Sequence, residues 1–538
     1  MQREPAGRRL DLGGQEVDAD VLVIGGGPAG TWAAWRASAL VARVVLADKG
    51  YCGTSGATAA SGTGVWWVPP DPARRRAALL SRETMGGFLA DRAWAGRVLE
   101  TTYDQLARLA ERGYPFADDA AGNPRRDSLQ GPEYMRLMRR LVRQARVTIL
   151  DHCPALELLV DDAGAVAGAA GQRRADGSAW VVRAPAVVLA TGGCAFLSKA
   201  LGCNVLTGDG QLMAAEAGAE LSGMEFSNAF GIAPHFSSVT KGALYNWASF
   251  TYEDGGAIPD ASSKYGRSRI ARAMLEGPVY AQLDKAQGDM RRVMREAQPN
   301  FFLPFDRAGI DPFERRFQVT MRLEGTVRGT GGLRIVDEHC ATTVPGLFAA
   351  GDAATRELLC GAFTGGGSHN AAWAICSGSW AGGGAAAYAR GATSARRGLR
   401  RAGGVGLLDR GARAFDPASV TQAVQAEVFP LDRNYFRSGD RLADSLGRLD
   451  ALWSQVRGSA EADQATLGRT REAAAMLATA RWMYRSALER TESRGMHKRE
   501  DHPALDPAQR NHVVTGGLDE VWVARRPAAA LTAQEVAA

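Results

Sequence analysis

Apolar residues near the start of the chain form two short runs with a helix-forming stretch between them. The first run is Asp20-Val-Leu-Val-Ile24 and the second is Arg43-Val-Val-Leu-Ala47. Continuous β-branched and apolar runs of this length are typical of strands buried in a parallel sheet. The intervening segment, Thr31 to Leu40, is rich in residues that favour a helix. The order strand, helix, strand therefore predicts an α/β unit.

The same pattern returns later in the chain. Val187–Ala190 and Gly346–Ala350 are apolar runs that predict two further strands, and an Ala-rich stretch to about Gly382 predicts a helix. Thr470 to Arg490 carries Ala, Leu, Met and Arg at helical spacing, and helix-like segments dominate from about residue 404. No apolar run reaches the roughly 18 residues that a membrane-spanning helix needs, so we expect no membrane span.

Composition shows that glycine is unusually frequent. The chain has 64 glycines in 538 residues, about 12%, whereas globular proteins average roughly 7%. The absence of a Gly-X-Y period excludes collagen, and 22 prolines with 46% hydrophobic residues exclude a disordered Pro/Gly-rich chain. What remains is a large globular protein in which many glycines have a role in the backbone.

The formal net charge of +6 comes from 58 Arg and only 6 Lys against 58 Asp and Glu. Arginines stand beside acids along the chain, as in Arg82-Glu83, which is typical of a solvated surface. We therefore predict no nucleic-acid partner. An attraction for small anionic molecules is the interpretation of the positive charge that we retain.

The seven cysteines form no C-x-x-C pair. This argues against a disulfide framework, a zinc ribbon and a ferredoxin-type cluster, and we predict no metal site. The first residues contain Arg8-Arg9 but no apolar stretch of the kind that a secretory signal needs, so we expect a cytoplasmic protein.

The first chemical motif follows the first apolar run directly. Gly25-Gly26-Gly27-Pro28-Ala29-Gly30 satisfies G-x-G-x-x-G and opens the predicted helix, and Asp48 ends the second strand 18 residues beyond Gly30. Glycines at these positions allow a tight turn and the close approach of a pyrophosphate to helix amides, while the acid accepts hydrogen bonds from ribose hydroxyls. The full set, in this order, predicts dinucleotide binding.

A second loop of small and hydroxyl-bearing residues favours FAD over NAD. It runs from Cys52 to Gly64 and includes Thr54-Ser55-Gly56-Ala57. Small residues let the backbone pass close to a large flat ligand, and hydroxyls and amides bind phosphates and ring edges. A flexible linker is the alternative interpretation.

Together, blocks spread over most of the chain resemble the flavoproteins of the fumarate reductase/succinate dehydrogenase type, a family with L-aspartate oxidase and the adenylylsulfate reductase flavin subunit. Besides the two loops, the blocks are Val187–Gly193, Thr207–Gly210, Ala217–Phe226, Glu276–Tyr280, Gly331–Asp337, Val344–Asp352 and Glu492–His497.

The resemblance implies a fold and a division of the chain. We expect an α/β protein with a Rossmann-like FAD-binding domain, an inserted α+β capping domain and a C-terminal helical region. The expected divisions are a polar N-terminal arm at 1–19, the two parts of the FAD-binding domain at 20–230 and 326–403, the substrate-capping domain at 231–325, and the C-terminal helical region and tail at 404–538.

The motifs and the resemblance together give the expected FAD contacts. Asp352 follows an apolar strand, where it could accept a ribityl hydroxyl, and the resemblance implies that Asp209 lies near the cofactor; a turn cap is the alternative for both acids. Gly365-Gly366-Gly367 precede the helix start whose amides suit the flavin pyrimidine edge. The predicted contacts are Gly25, Gly27, Pro28, Ala29, Gly30, Asp48, Lys49, Thr54, Ser55, Gly56, Ala57, Gly62, Ala155, Ala190, Thr191, Gly192, Asp209, Gly351, Asp352, Ser368, His369 and Asn370.

Departures from the family pattern are informative. Relatives with covalently bound flavin have a histidine at the position that corresponds to Gly56, and no histidine occurs between Met1 and Asp151, so the FAD should be non-covalent. The histidines that dicarboxylate-handling members place before Gly331 and after Phe226 are missing here. The resemblance therefore argues against succinate, fumarate and aspartate as substrates.

Three residues are the catalytic candidates. Arg267 matches the arginine that delivers a proton in fumarate reductases, although a basic helix face is the alternative. His369, at the start of the flavin helix, titrates near neutrality and could move a proton, or it could simply bond the backbone. Arg328 lies beside the predicted flavin face, where it could pair with an anionic substrate.

These expectations lead to one function and one alternative. We expect an FAD-dependent oxidoreductase that transfers hydride between flavin N5 and a small, anionic substrate. The alternative is the flavin subunit of an adenylylsulfate reductase-like or succinate dehydrogenase-like complex that passes electrons to an iron–sulfur partner protein. The number of subunits stays open, with a homodimer as one option.

Overall fold

The computed structural model describes residues 15–119, 122–240, 242–263, 266–363, 368–392, 398–407, 411 and 413–529. Its strands are β1 Gln15–Asp18, β2 Val21–Ile24, β3 Val44–Ala47, β4 Thr63–Gly64, β5 Ser128–Leu129, β6 Thr148–Leu150, β7 Ala155–Val160, β8 Val166–Gln172, β9 Ala179–Arg183, β10 Ala186–Leu189, β11 Leu221–Ser222, β12 Ala229–Pro234, β13 Ser249–Thr251, β14 Val279–Gln282, β15 Phe317–Glu324, β16 Gly332–Leu333, β17 Leu347–Ala349, β18 Arg400–Arg401, β19 Asn511–Gly516 and β20 Trp522–Pro527. Its helices are α1 Pro28–Ser38, α2 Pro72–Met85, α3 Arg92–Glu111, α4 Gly131–Gln144, α5 Asp209–Glu216, α6 Arg267–Glu276, α7 Met290–Ala297, α8 Pro299–Ala308, α9 Gly325–Arg328, α10 Glu357–Cys360, α11 His369–Gly391, α12 Pro417–Val428, α13 Gly439–Arg457 and α14 Leu467–Glu489.

The central sheet is parallel, as the buried apolar runs predict. Its strand order is β17-β10-β2-β3-β6, and every pair in it runs in the same direction. The residues of β2, β3 and β10 are buried on both faces, which explains why these strands are apolar throughout. The carboxyl ends of the strands carry the two Gly-rich loops and therefore form one edge where a nucleotide can bind.

Helices α1 and α11 pack directly on each other, and two glycines of α11 make this possible. A β-carbon at Gly378 would lie 2.4 Å from the carbonyl oxygen of Ala29, and one at Gly382 would lie 2.3 Å from that of Ala33. The next glycine, Gly383, has only the Arg36 side chain nearby, at 3.8 Å. The helix that carries the dinucleotide motif is thus held against α11 backbone to backbone.

A second sheet, β1-β9-β8-β7-β18, lies beside the first. It is antiparallel except for the parallel pairing of β1 with β9. Strand β7 begins at Ala155, and this residue lies at the nucleotide-binding edge. The sheet therefore supplies one wall of the site described below.

The segment between β12 and β15 has its own antiparallel sheet, β12-β15-β14-β13, and its own apolar core. Aromatic rings dominate this core: Tyr245, Phe301, Phe305 and Phe317 are buried and contact one another. Helices α6, α7 and α8 belong to the same segment. We call residues 229–324 the cap.

The last part of the chain contains α12, α13 and α14, as the sequence predicts, followed by a hairpin that it does not predict. Strands β19 and β20 pair antiparallel, and β19 also pairs with β11. The Pro- and Ala-rich sequence from Arg525 to Ala538 predicts a loosely ordered tail. This prediction is wrong for residues 525–527, because Arg525 lies in β20 opposite Val513. Among the described helices, none combines the length and the apolar character needed to cross a membrane.

Candidate functional site

One cavity of about 820 Å³ runs between the central sheet, the cap and the C-terminal region. Its walls come from the loop after β2, the end of β3, the loop that follows it, the start of β7, the loops after β10 and β17, and the start of α11. The cap contributes residues of β12, β15 and α6. A cavity of this size and shape suits an extended ligand that crosses the edge of the sheet with one end under the cap.

The glycines of the first loop have different environments. Gly25 has a φ of +110°, and a β-carbon there would lie 2.2 Å from the carbonyl oxygen of Ala190. A β-carbon at Gly30 would lie 1.7 Å from the carbonyl oxygen of Gly25. Gly27 differs, because no protein atom lies within 4 Å of the position that its β-carbon would take. Gly27 is the residue before α1, so this open space borders the free amides at the helix start.

Asp48 joins the two Gly-rich loops. Its carboxylate accepts hydrogen bonds from the amide of Gly26 in the first loop and from the hydroxyl of Ser55 in the second loop, at 2.8 Å. It also accepts one from the amide of Gly50, just before the second loop, at 2.7 Å. Asp48 is buried but lines the cavity. The acid therefore holds both loops at the place where a ribose would lie in a Rossmann-type site.

Lys49 ties this end of the cavity to the rest of the protein. Its ammonium group lies 2.7 Å from Asp209, 2.8 Å from Glu472 of α14 and 2.8 Å from the hydroxyl of Thr207. Burial opposes the charged form, but the two carboxylates outweigh it and the pKa of Lys49 is raised. Both Lys49 and Asp209 line the cavity, so a bound ligand meets a neutralised ion pair here and not a free cation.

At the other end, Asp352 also faces the cavity and is held by an arginine behind it. Arg356 is fully buried and donates to the Asp352 carboxylate and to the main-chain carbonyls of Thr326, Val327 and Gly329. Burial raises the pKa of Asp352, and the nearby guanidinium groups oppose this. Arg356 thereby connects the loop after β17 to α9, the short helix that follows the cap.

A cationic group of the cap projects into the same cavity. Arg267, the first residue of α6, donates to the carbonyl oxygens of Phe230, at 3.2 Å, and Ser263, at 3.1 Å. Its Nε is buried and has no hydrogen-bond partner within the described residues, where no carboxylate lies within ion-pair distance of it either. Burial lowers the pKa of Arg267, which means that its charge is poorly compensated.

Arg328 and Glu324 lie next to Arg267 in the cavity wall. Nε of Arg328 is 3.6 Å from Oε1 of Glu324, and the same oxygen accepts a hydrogen bond of 2.7 Å from the hydroxyl of Thr240. The adjacent carboxylate raises the pKa of Arg328. Because Arg328 shares its charge with Glu324, Arg267 is the stronger binding group for an anion.

The cavity brings together all but three of the predicted cofactor contacts. Gly30, Thr54 and His369 are not in its wall. Gly30 acts inside the turn, where only a glycine can approach Gly25 so closely. Thr54 is exposed, and its hydroxyl bonds the carbonyl oxygen of Tyr51 at 3.2 Å instead of facing the cavity.

His369 does not occupy the place that proton transfer requires. The side chain is fully buried outside the cavity wall, and its ring packs edge-on against Trp66, 4.9 Å away between centroids. The neighbours Ser368 and Asn370 do line the cavity. At this helix start, Ser368 and Asn370 therefore face the cavity, and His369 does not. The preceding Gly365, Gly366 and Gly367 lie outside the described residues.

Several residues in or behind the cavity wall are not predicted as site residues from the sequence. Arg356 has a weak signal, the four-residue spacing from Asp352 that suits an ion pair on one helical turn, but its other partners come from a distant segment. Tyr435 of the C-terminal region lines the cavity although nothing in its local sequence indicates this. His497 and Arg437, both fully buried, hydrogen-bond each other at 2.8 Å behind the wall.

The residues present fit FAD. The open space at Gly27 beside the α1 amides suits a pyrophosphate, because helix-start amides are left without partners in the helix. The joined loops at Asp48 suit the adenosine ribose, and Asp352 suits the hydroxylated chain that links the pyrophosphate to the flavin. The remaining space, under the cap and beside Arg267, is where a substrate can meet the flavin ring.

Comparison with known families gives two matches. The family described as FAD binding domain matches residues 20–232, and the family described as Fumarate reductase flavoprotein C-term matches residues 429–528. The chain is 28% identical to the L-aspartate oxidase of Streptomyces coelicolor over 93% of this chain and 92% of that protein. It is 26% identical to one of the subunits of the fumarate reductase (CoM/CoB) of Methanothermobacter marburgensis, over 92% and 97% of the two chains.

Solved structures agree on the fold. The chain superimposes on a quinol fumarate reductase of E. coli with a TM-score of 0.82 at 21% identity, covering 96% of this chain and 98% of the other. It superimposes on the adenylylsulfate reductase of Archaeoglobus fulgidus with a TM-score of 0.76 at 20% identity, covering 96% of both chains. With these two matched domains and these relatives, the chain is an FAD-dependent oxidoreductase that is similar over most of its length to the flavoproteins of the fumarate reductase/succinate dehydrogenase type.

Proposed function

We propose that this FAD-dependent oxidoreductase exchanges hydride between flavin N5 and a small anionic substrate other than succinate or fumarate. The observation that carries the proposal is the environment of the Arg267 side chain. This guanidinium lies in the cavity wall under the cap, is bonded only to two carbonyl oxygens, and has an unpartnered Nε within the described residues. A partly buried guanidinium that no carboxylate of the described residues contacts directly is stabilised when an anionic ligand binds to it.

Bound FAD supplies a two-electron donor or acceptor at its isoalloxazine ring. In the proposal, Arg267 binds the anionic group of the substrate and also exchanges a proton with the substrate. Arg328 adds a second cation, kept in place by Glu324. The cap covers the substrate and excludes water, which strengthens the attraction between Arg267 and the anion.

The lining of the cavity supports a substrate other than a C4 dicarboxylate. Within the described residues no histidine lines the cavity, and the apolar side chains of Phe230, Phe363 and Met496 do. The histidines that dicarboxylate-handling members of the family place near the substrate are therefore missing from this wall. The same absence of histidine from the second loop supports FAD that is bound without a covalent link.

The test compares carboxylic acids with their uncharged amides. Purified holoenzyme is mixed anaerobically with each member of a panel of hydroxy acids, amino acids and enoates, before and after reduction of the flavin with dithionite. We expect that at least one acid changes the redox state of the flavin and that its amide does so at least 100-fold more slowly. Equal rates for acid and amide would refute an anion-binding role of the site.

A second candidate is a flavin subunit that exchanges electrons with a partner protein, such as one that contains an iron–sulfur cluster. The observation that favours it is the similarity over nearly the whole chain to a protein named as one of the subunits of a fumarate reductase. The cysteines of this chain form no C-x-x-C pair, so in this candidate the iron–sulfur cluster belongs to the partner protein.

The electron acceptor separates the two candidates. In an oxidase, oxygen reoxidises the substrate-reduced flavin at the rate of turnover and produces hydrogen peroxide. In a flavin subunit, reoxidation by oxygen is much slower than turnover with a co-purifying redox protein. Stopped-flow reoxidation of the isolated chain, with and without that protein, distinguishes the two results.

A further inference from the structure

Tyr435 brings a hydroxyl group of the C-terminal region into the part of the cavity that Arg267 occupies. Tyr435 and Ser268 both line the cavity, and the phenol oxygen lies 3.2 Å from the Ser268 hydroxyl. Ser268 directly follows Arg267 at the start of α6. The cation and two hydroxyl groups therefore stand side by side at one place in the wall.

The position of Tyr435 is well defined. It ends a single π-helical turn, Leu431–Tyr435, and such turns are frequent at functional sites. Asn434 anchors the turn by donating to the carbonyl oxygen of Val428 at 2.8 Å and by accepting from the buried Arg437 at 2.9 Å. The tyrosine ring packs against Phe230 and Phe436, with centroid distances of 5.8 and 4.9 Å. The anchored turn and the ring contacts together fix the orientation of the tyrosine hydroxyl.

The phenol is suited to donate a hydrogen bond. Burial raises its pKa, which keeps it protonated at neutral pH, and the charge of Arg267 opposes this only in part. A tyrosine hydroxyl has one hydrogen to donate and lone pairs to accept with. The contact with Ser268 uses one of these capacities, and the others remain available to a ligand.

We propose that Tyr435 and Ser268 bind an oxygen atom adjacent to the anionic group that Arg267 holds, so that the site selects a hydroxy or oxo acid over an acid without that oxygen. The inference rests on the proposed role of Arg267. A cation alone recognises any carboxylate, whereas neutral hydroxyl groups at a fixed place next to it add recognition of a second, uncharged oxygen. A site built to bond such an oxygen disfavours a ligand that lacks it, because its polar groups are then left unpaired.

The experiment uses holoenzyme and two matched pairs of acids, lactate with propanoate and 2-hydroxyhexanoate with hexanoate. Affinities are taken from anaerobic changes in the visible absorbance of the flavin or, for an acid that reduces it, from the concentration dependence of the reduction rate. We expect the hydroxy acid to bind about 10-fold more tightly than its partner. Tyr435→Phe should remove this preference, and Tyr280→Phe, a cap tyrosine outside the cavity, should keep it.

Ser268→Ala provides a second variant, which removes the partner of Tyr435 and leaves the phenol in place; the preference should fall in it as well. An equal affinity for both acids in the wild type, or a preference that persists in both variants, would overturn the inference. If the wild type shows no preference and Arg267→Ala weakens the binding of both acids of a pair equally, the proposed function stands and only the inference fails. If none of the four acids perturbs the wild-type flavin, both the inference and the proposed function fail.

Discussion

Replacing Gly27 with alanine separates FAD binding from folding. No protein atom lies within 4 Å of the position that the new methyl group would take, and the backbone there is extended, with φ −75° and ψ −170°, which alanine also adopts. The position is the N-cap of α1, where alanine is less favourable than glycine, so we expect the apoprotein to lose less than about 1 kcal/mol of stability.

The effect on FAD should be larger. The methyl group would fill the space beside the α1 amides, which the site offers to the pyrophosphate. Losing the charge-assisted hydrogen bonds and the helix-dipole contribution there costs about 3 kcal/mol, or roughly 100-fold in Kd.

The assay is calorimetric titration of apoprotein with FAD, combined with thermal unfolding of the same apoprotein. Gly96→Ala is the matched control, because that glycine also faces open space but lies in α3, away from the cavity. It should leave the Kd for FAD unchanged. A Gly27→Ala apoprotein that is folded and binds FAD within about threefold of the wild type would refute this placement of the pyrophosphate.

Three further predictions concern stability. Gly382→Ala should lower the unfolding free energy by about 2–4 kcal/mol, because its methyl group would meet the backbone of α1, whereas Gly383→Ala should be neutral or stabilising by up to about 1 kcal/mol; thermal melts of both check this. Burial raises the pKa of Glu157 from its usual 4.5 to about 7, so the folded state holds this proton longer than the unfolded one. Its contribution to stability is complete below pH 4.5 and is lost as the pH rises to about 7, by roughly 3 kcal/mol at most; Glu157→Gln should flatten that part of a stability-against-pH profile, and an unchanged slope would contradict it. Lys49→Met should leave two partly buried carboxylates without their cation and cost about 2–3 kcal/mol, measured by urea unfolding, and an unchanged midpoint would show that the cluster is not coupled to folding.

The parts of the fold that follow from local sequence are well predicted. The strand, the Gly-rich turn, the helix and the second strand of residues 20–48 stand as expected, because buried strands and helix-start glycines leave signals within a few residues. The same holds for α11 and α14, whose composition and spacing favour helices.

What the sequence misses depends on contacts between distant residues. Arg525 resembles the start of a loose tail because its neighbours are Pro and Ala, yet pairing with Val513 makes it part of a strand. His369 is a reasonable proton donor by sequence, but packing against Trp66 turns it away from the cavity. Arg356 owes its role to carbonyl groups 27 to 30 residues earlier, which no local pattern reveals.

The central claim is that Arg267 holds an anionic substrate against the flavin, and the rate of flavin reduction in a single anaerobic turnover tests it most directly. The rate is measured with an active acid for the wild type, for Arg267→Ala and for Arg322→Ala. Arg322 is a matched control, because its guanidinium also bonds carbonyl oxygens, those of Ser237 and Ser198, but lies outside the cavity wall. We predict that Arg267→Ala reduces the rate at least about 100-fold at unchanged FAD content and that Arg322→Ala stays within a few-fold of the wild type. Equal rates in the wild type and Arg267→Ala would contradict the claim.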